Sequence, residues 1–348
     1  MENPDSYSFG LKKLIKANEI QNNIDGRIGN WKPANNNYYR KPSFINDITV
    51  LEYQKSENNI NVQKLLDKQT LAFTRLLTFF SNEGQNLPLF YKCLCLKTLT
   101  RFVNRCGVDN EVLPKFLKAN LALARELKNN EVLSIATGMK AEYCIAYRML
   151  DHAIRYCNES YHFGSQPQRL LTYRSLIYAL GNDWNRSSLY ANNALNTLNI
   201  YHKELETRPY TLLAFVRMLL IRFKQQPNEA ITQIKPYILK LKKYSDQSVM
   251  AKSAYFQAVA ISRSLNIFPI ECEDICDDEI CRFFMSYGRY HGVLYYPYAP
   301  EKYKKMCITL QTAIKESDTN ILPEAWIIDT LDIDNHPQKH SLCYLTLI

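Results

Sequence analysis

The chain is poor in glycine, with 10 residues in 348. Glycine supplies the left-handed turns of hairpin-rich sheets and the tight phosphate loops of dinucleotide folds. Its scarcity argues against a sandwich or a Rossmann-type fold and for helices. Recognisable catalytic chemistry is missing too. No phosphate-cradling glycine loop, nucleophile elbow or paired-histidine metal motif occurs. His152, His162 and His202 stand alone within helical segments, as packed or surface histidines do. The expectation is a non-enzymatic protein with no catalytic residue, no cofactor and no metal.

Long hydrophobic runs are also absent. The longest, 211–221, is interrupted by Arg217 and is too short for the roughly 20 residues that span a bilayer, so no membrane insertion is expected. The start, MENPDSYSFGLKK, lacks the apolar core of a secretion signal. Cysteine is plentiful, at 10 residues, but follows no regular spacing, and Cys93, Cys95 and Cys144 fall on apolar helical faces. That pattern fits reduced, buried thiols rather than a disulfide framework. Cys272, Cys276, Cys281 and His291 are the only metal ligands to consider, and they lack the second closing pair of a structural zinc site. Together these point to a soluble intracellular protein of the cytoplasm or nucleus.

Hydrophobic residues make up 46% and charged residues 22%, which is ordinary for a globular chain. Tyrosine, at 24 residues, exceeds what a plain core needs. The net charge of +9 permits an acidic partner without requiring one.

Three regions follow along the chain. Residues 1–60 are rich in Asn, Tyr, Gly and Pro, and read as a partly ordered N-terminal arm capping the next region. From 61 to 268 the apolar period becomes helical. Helices are expected over 61–80, from Pro88 to Asn104, from Asp109 to about Leu127 and over 248–265, with connections of a few residues. Short connections force antiparallel neighbours. Residues 269–348 open on ECEDICDDE, with six acids in nine positions, and continue into SYGRYHGVLYYPYAPEKY, with a helix near 300–314 and a short one near 323–331. They read as a helical cap or small module.

The organising stretch is 140–198, where small residues recur at a fixed interval. Ala153 and Ser187 are 34 residues apart, as are Cys157 and Ala191, and Cys144 and Tyr178. A period of this size marks stacked helical repeats, with small residues where paired helices cross closely. Asn182-Asp183-Trp184 follows Gly181, with Ser187, Ala191, Ala194 and Leu195 behind it and Tyr178 ahead. This arrangement resembles the tetratricopeptide repeat, whose second helix follows a Gly-Asp-aromatic turn. The preceding unit offers Ala153, Cys157 and Ser160 in register, and a third begins at Gln226-Pro227-Asn228, 43 residues on. Arg174 and Ser175 stand where the family has Leu and Gly. The resemblance implies an all-α, right-handed superhelical α-solenoid of antiparallel helix pairs.

Two stretches carry the candidate binding residues. Residues 207–243 hold Arg208, Arg217, Arg222, Lys224, Lys235, Lys240, Lys242 and Lys243 against one acid, Glu229. On one face they would attract acidic peptides or phosphate backbones. The second stretch holds Tyr287, Tyr290, Tyr295, Tyr296 and Tyr298, a side chain enriched in binding surfaces. The acidic island 271–279 reads either as a docking patch for a basic partner or as a solvated helix start. The sequence therefore predicts a scaffold or adaptor that binds protein partners of unknown identity within a larger complex. Nucleic-acid binding through 207–243 ranks behind it, and a peptide-sensing regulator shares the fold.

Overall fold

The structure is a computed structural model, and it describes residues 67, 77, 80, 89–107, 112–165, 167–200, 207–222, 227–246, 249–267, 272, 274–286 and 288–316. The arm expected over 1–60, most of the helix expected over 61–80 and the helix expected near 323–331 lie outside these residues. Among the described residues the chain is all-α, with twelve helices and no strand. They are α1 Leu89–Arg105, α2 Val112–Leu127, α3 Asn130–Ala146, α4 Leu150–His162, α5 Pro167–Leu180, α6 Trp184–Ile200, α7 Thr207–Arg222, α8 Pro227–Ser245, α9 Val249–Ser264, α10 Asp277–Ser286, α11 Tyr290–Tyr295 and α12 Glu301–Glu316. No helix among them is long and apolar enough to cross a membrane.

The low glycine count leaves its mark on how these helices end. A helix commonly closes with one residue in the left-handed conformation, usually glycine. Gly107, Gly164 and Gly288 do this here, but Lys128, Arg148, Asn182 and Asn266 take the same conformation with φ between 53 and 61°. After α5 the Asn182 amide donates to the Ala179 carbonyl at 3.1 Å and the Asp183 amide to the Tyr178 carbonyl at 2.9 Å. The Asp183 carboxylate then accepts the Arg186 amide at 3.1 Å and starts α6. One three-residue turn thus satisfies the end of one helix and the beginning of the next.

Two compact units divide the described residues. The first takes those up to Val132, together with Arg282–His291 and α12; the second takes Leu133–Cys281 and Gly292–Pro300. The boundaries fall inside α3, α10 and α11, so the C-terminal stretch contributes to both.

In the first unit α1 packs on α2, burying Leu96, Leu99 and Val103 with Leu113, Phe116 and Leu117. Lys97, Arg101 and Arg105 lie buried at four-residue spacing along α1. The end of α1 is fixed from elsewhere in the same unit. Gln311 Nε2 donates to the carbonyls of Cys106 and Gly107 at 3.0 and 2.9 Å, and His291 Nδ1 lies 2.9 Å from the Arg105 carbonyl. A Cβ on Gly107 would sit 3.2 Å from the His291 Cβ, and its φ is +71°, so both space and conformation call for glycine.

In the second unit α4 meets α5, α5 meets α6, α6 meets α7, α7 meets α8 and α8 meets α9. The alternate helices α5, α7 and α9 also meet in order. The small residues spaced 34 apart are buried: Ala153, Cys157 and Ser160 on α4, and Ser187, Ala191 and Ala194 on α6. Ser187 Oγ donates to the Ser175 carbonyl at 2.9 Å, a bond between α5 and α6 that a bulkier residue would displace. Between α3 and α4, Ser134 and Ser160 exchange hydroxyl-to-carbonyl bonds at 3.1 and 2.8 Å. Helix α7 is apolar from Leu212 to Ile221 except at Arg217, and every side chain over 212–220 is buried. A helix hydrophobic all round belongs in the interior.

Candidate interaction surface

The α5–α6 pair places four side chains in an ordered row. Tyr178 and Arg186 each stand four residues from Asn182, while Arg174 and Tyr190 each stand eight. In an antiparallel pair, positions equidistant from the turn face one another. The four side chains therefore interleave as Arg174, Tyr190, Tyr178, Arg186. The two rings stack with centroids 5.4 Å apart and 4° between planes. The Arg174 guanidinium lies over Tyr190 at 5.3 Å, and that of Arg186 over Tyr178 at 5.4 Å. Each such contact is worth about 0.5–1 kcal/mol at a solvated site.

Hydrogen bonds fix the ends of the row. Arg174 Nη2 donates to Asn158 Oδ1 on α4 at 2.7 Å, and Nη1 to the Tyr190 hydroxyl at 3.3 Å. Arg186 pairs with Asp183 at 3.3 Å, and on α4 Arg155 pairs with Glu159 at 3.2 Å. Tyr178, Arg174 and Tyr190 are half-buried and Arg186 is exposed. One position before Tyr190, Leu189 is 56% exposed, the most exposed large apolar side chain among the described residues.

Beneath this face a polar knot joins α3 to α5. Arg169 Nη2 reaches Glu142 Oε1 at 2.6 Å and Nε donates to the Tyr173 hydroxyl at 2.9 Å, while that hydroxyl donates to the same Glu142 oxygen. Burial lowers the Arg169 pKa, and the nearby Tyr173 and Glu142 more than reverse it, so the guanidinium stays charged. A Cβ on Gly138 would sit 3.2 Å from Arg169 Nη2, so the glycine leaves room for this cluster.

The residues singled out from the sequence are dispersed. Arg217 is buried and donates from Nη2 to Gln257 Oε1 at 2.8 Å, joining α7 to α9. Arg208 lies in α7 and Arg222 at its exposed end. Lys224 and Tyr287 are outside the described residues. On α8, Lys235, Lys240 and Lys243 are exposed, and Lys242 lies 3.6 Å from Asp274 of the acidic island.

Tyr290 and Tyr296 are buried, Tyr295 is partly covered and Tyr298 is exposed. The Tyr296 hydroxyl donates to Asp277 Oδ1, which also receives Arg263 Nη1 at 2.6 Å. Arg263 Nη2 bonds the carbonyls of Cys272 (2.8 Å) and Ile275. The buried guanidinium therefore clamps the turn before α10. Tyr298 bonds Asn266 Oδ1 at 2.9 Å. Tyr290 and Tyr296 are thus packing and anchoring groups, whereas Tyr298 stays exposed.

Of the cysteines considered as ligands, Cys272 and Cys281 are buried and Cys276 is exposed. No group of three His, Cys, Asp or Glu among the described residues could hold a metal ion. The row between α5 and α6 escaped the sequence reading, although its signal was present: an Arg-to-Tyr step of four on each helix, symmetric about the turn. No family model, curated protein or solved structure matches the chain.

Proposed function

We infer that the chain is a non-enzymatic scaffold or adaptor that holds other proteins, and that the helices of its second unit stack as a divergent, tetratricopeptide-like right-handed solenoid. The order of packing carries this reading. Each helix from α4 to α9 meets the next, and α7 also meets both α5 and α9, as expected when paired helices stack in two layers. The 34-residue register and its buried small residues add support. The other layer, α4, α6 and α8, carries exposed apolar side chains at Tyr161, Leu189 and Leu239. Such arrays bind partners over extended surfaces. The peptide-sensing variant finds less support, since α7 offers no exposed side chain over 212–220 for a groove.

Photo-crosslinking tests the reading. A crosslinking residue placed at 189 or 239 of the full chain, in its native cells, should form adducts with a reproducible protein partner. The same residue at buried position 216 should form none. A chain that stays monomeric, with no adduct at any outward position, would end it.

Nucleic-acid binding is the second reading. Lys240 and Lys243 on α8 are exposed and meet no carboxylate among the described residues. It requires retention on nucleic acid that falls steeply with salt. Absent or salt-independent retention removes it.

A further inference from the structure

We propose that the Arg174–Tyr190–Tyr178–Arg186 row, with Leu189 beside it, docks an acidic segment of a partner protein, which brings a carboxylate to Arg174 and an apolar side chain to Leu189. This rests on the scaffold reading and names a surface and a partner chemistry for it.

Charge is the first argument. Arg155 and Arg186 on this face each have a carboxylate, Glu159 and Asp183. Arg174 bonds only neutral groups, the Asn158 amide oxygen and the Tyr190 hydroxyl. One guanidinium is left without a counter-charge among the described residues. Its planar fork suits a carboxylate, which it receives through two parallel bonds.

Preorganisation is the second. Ordering a flexible arginine normally opposes binding. Here a ring, a hydroxyl and an amide already hold Arg174 in place. The hairpin does not depend on that arrangement. The Ser187–Ser175 bond, the Asp183 cap and buried Ala191 and Ala194 already join α5 to α6. A solvated stack adds little to them while restricting four long side chains.

Leu189 is the third. A single exposed leucine is ordinary on a protein surface. Next to Tyr190, and one turn from Arg186, it gives an apolar centre bordered by tyrosine and arginine, the composition of binding hot spots.

The same geometry disfavours nucleic acid at this surface. Single-stranded binders stack bases on open aromatic faces. Tyr178 and Tyr190 already stack on each other, and each ring already carries an arginine over it.

The test is a fluorescence-anisotropy titration of the full chain with a short labelled Glu/Leu peptide, beside a Lys/Leu peptide and oligo(dT). The Glu/Leu peptide should bind and the Lys/Leu peptide should not. Arg174→Ala and Leu189→Ser should each weaken binding about tenfold or more. Arg174→Lys, which keeps the charge and loses the fork, should restore it only in part, and Lys240→Ala with Lys243→Ala on α8 should leave it unchanged. Thermal melts matching the parent show that the variants are folded; if Arg174→Ala melts early, Leu189→Ser carries the test. Equal binding by both variants, or no binding by the parent, overturns the proposal. Oligo(dT) binding lost in the same variants overturns it in favour of nucleic acid. Adducts from position 239 with none from 189 would refute this surface while leaving the scaffold; no adducts anywhere would remove both.

Discussion

Two groups of tyrosines share a side chain and differ in nearly everything else. Tyr290, Tyr296 and Tyr303 fall close together in sequence and are buried. Burial pushes the Tyr290 phenol well up, with the Cys106 and Cys307 thiols adding to it. The Tyr296 hydroxyl is spent on Asp277. Tyr178 and Tyr190 are twelve residues apart, half-exposed, stacked on each other and each with an arginine over its ring. The buried members of the tyrosine-dense stretch thus serve packing, whereas the pair placed about the α5–α6 turn stays half-exposed. The same contrast separates Arg263, buried in its clamp, from Arg174, held at the surface.

Arg263→Ala should break this comparison most visibly. It strips Asp277 of its cation and leaves two carbonyls unpaired, at a cost of about 3 kcal/mol in urea denaturation. A loss below about 1 kcal/mol would mean that the clamp is not what holds the turn. Arg174→Ala should cost no more than about 1 kcal/mol in the same assay.

Buried thiols give the next effect. Burial pushes Cys93 and Cys157 up from 9.0 to about 12. Below about pH 9 both folded and unfolded chains keep these protons, and stability is complete. Between about 9 and 12 only the unfolded chain releases them. Each thiol then subtracts about 1.4 kcal/mol of stability per pH unit as pH rises. Cys157→Ala should flatten the alkaline limb of a stability profile. In the native state, alkylation followed by peptide mass spectrometry should find Cys276 modified well before Cys93 or Cys157.

The two tyrosine groups can be compared directly. Tyr296→Phe should cost about 1–2 kcal/mol, because it removes a donor to a partly buried carboxylate. Tyr190→Phe keeps the ring stack and should stay within about 0.5 kcal/mol. Equal costs would erase the distinction. The smallest effect is a gain: Asn182→Gly relieves a left-handed residue and should add about 0.5 kcal/mol, visible as a small rise in Tm.

Much of the helical framework was legible in the sequence. The helices expected from Pro88 to Asn104, from Asp109 to Leu127, over 248–265 and near 300–314 occur as Leu89–Arg105, Val112–Leu127, Val249–Ser264 and Glu301–Glu316. Apolar period and clear breakers set those limits. The 34-residue spacing likewise marked residues that are buried. The site was harder to read because charge runs and tyrosine runs are one-dimensional. In the sequence Arg217 stands out from Lys243 only by interrupting an apolar run; that its guanidinium meets Gln257 in the interior while Lys243 lies in solvent is set by packing around α7. The short helix α11 was not among those expected from the apolar period.

The enclosure of α7 has a kinetic consequence. Its backbone amides over 212–220 can meet solvent deuterons only when α5, α6, α8 and α9 separate around it. These amides should be among the slowest in the second unit to exchange, at a rate set by cooperative opening rather than fraying. A helix enclosed in this way acts as an internal clock, reading out how often the unit opens.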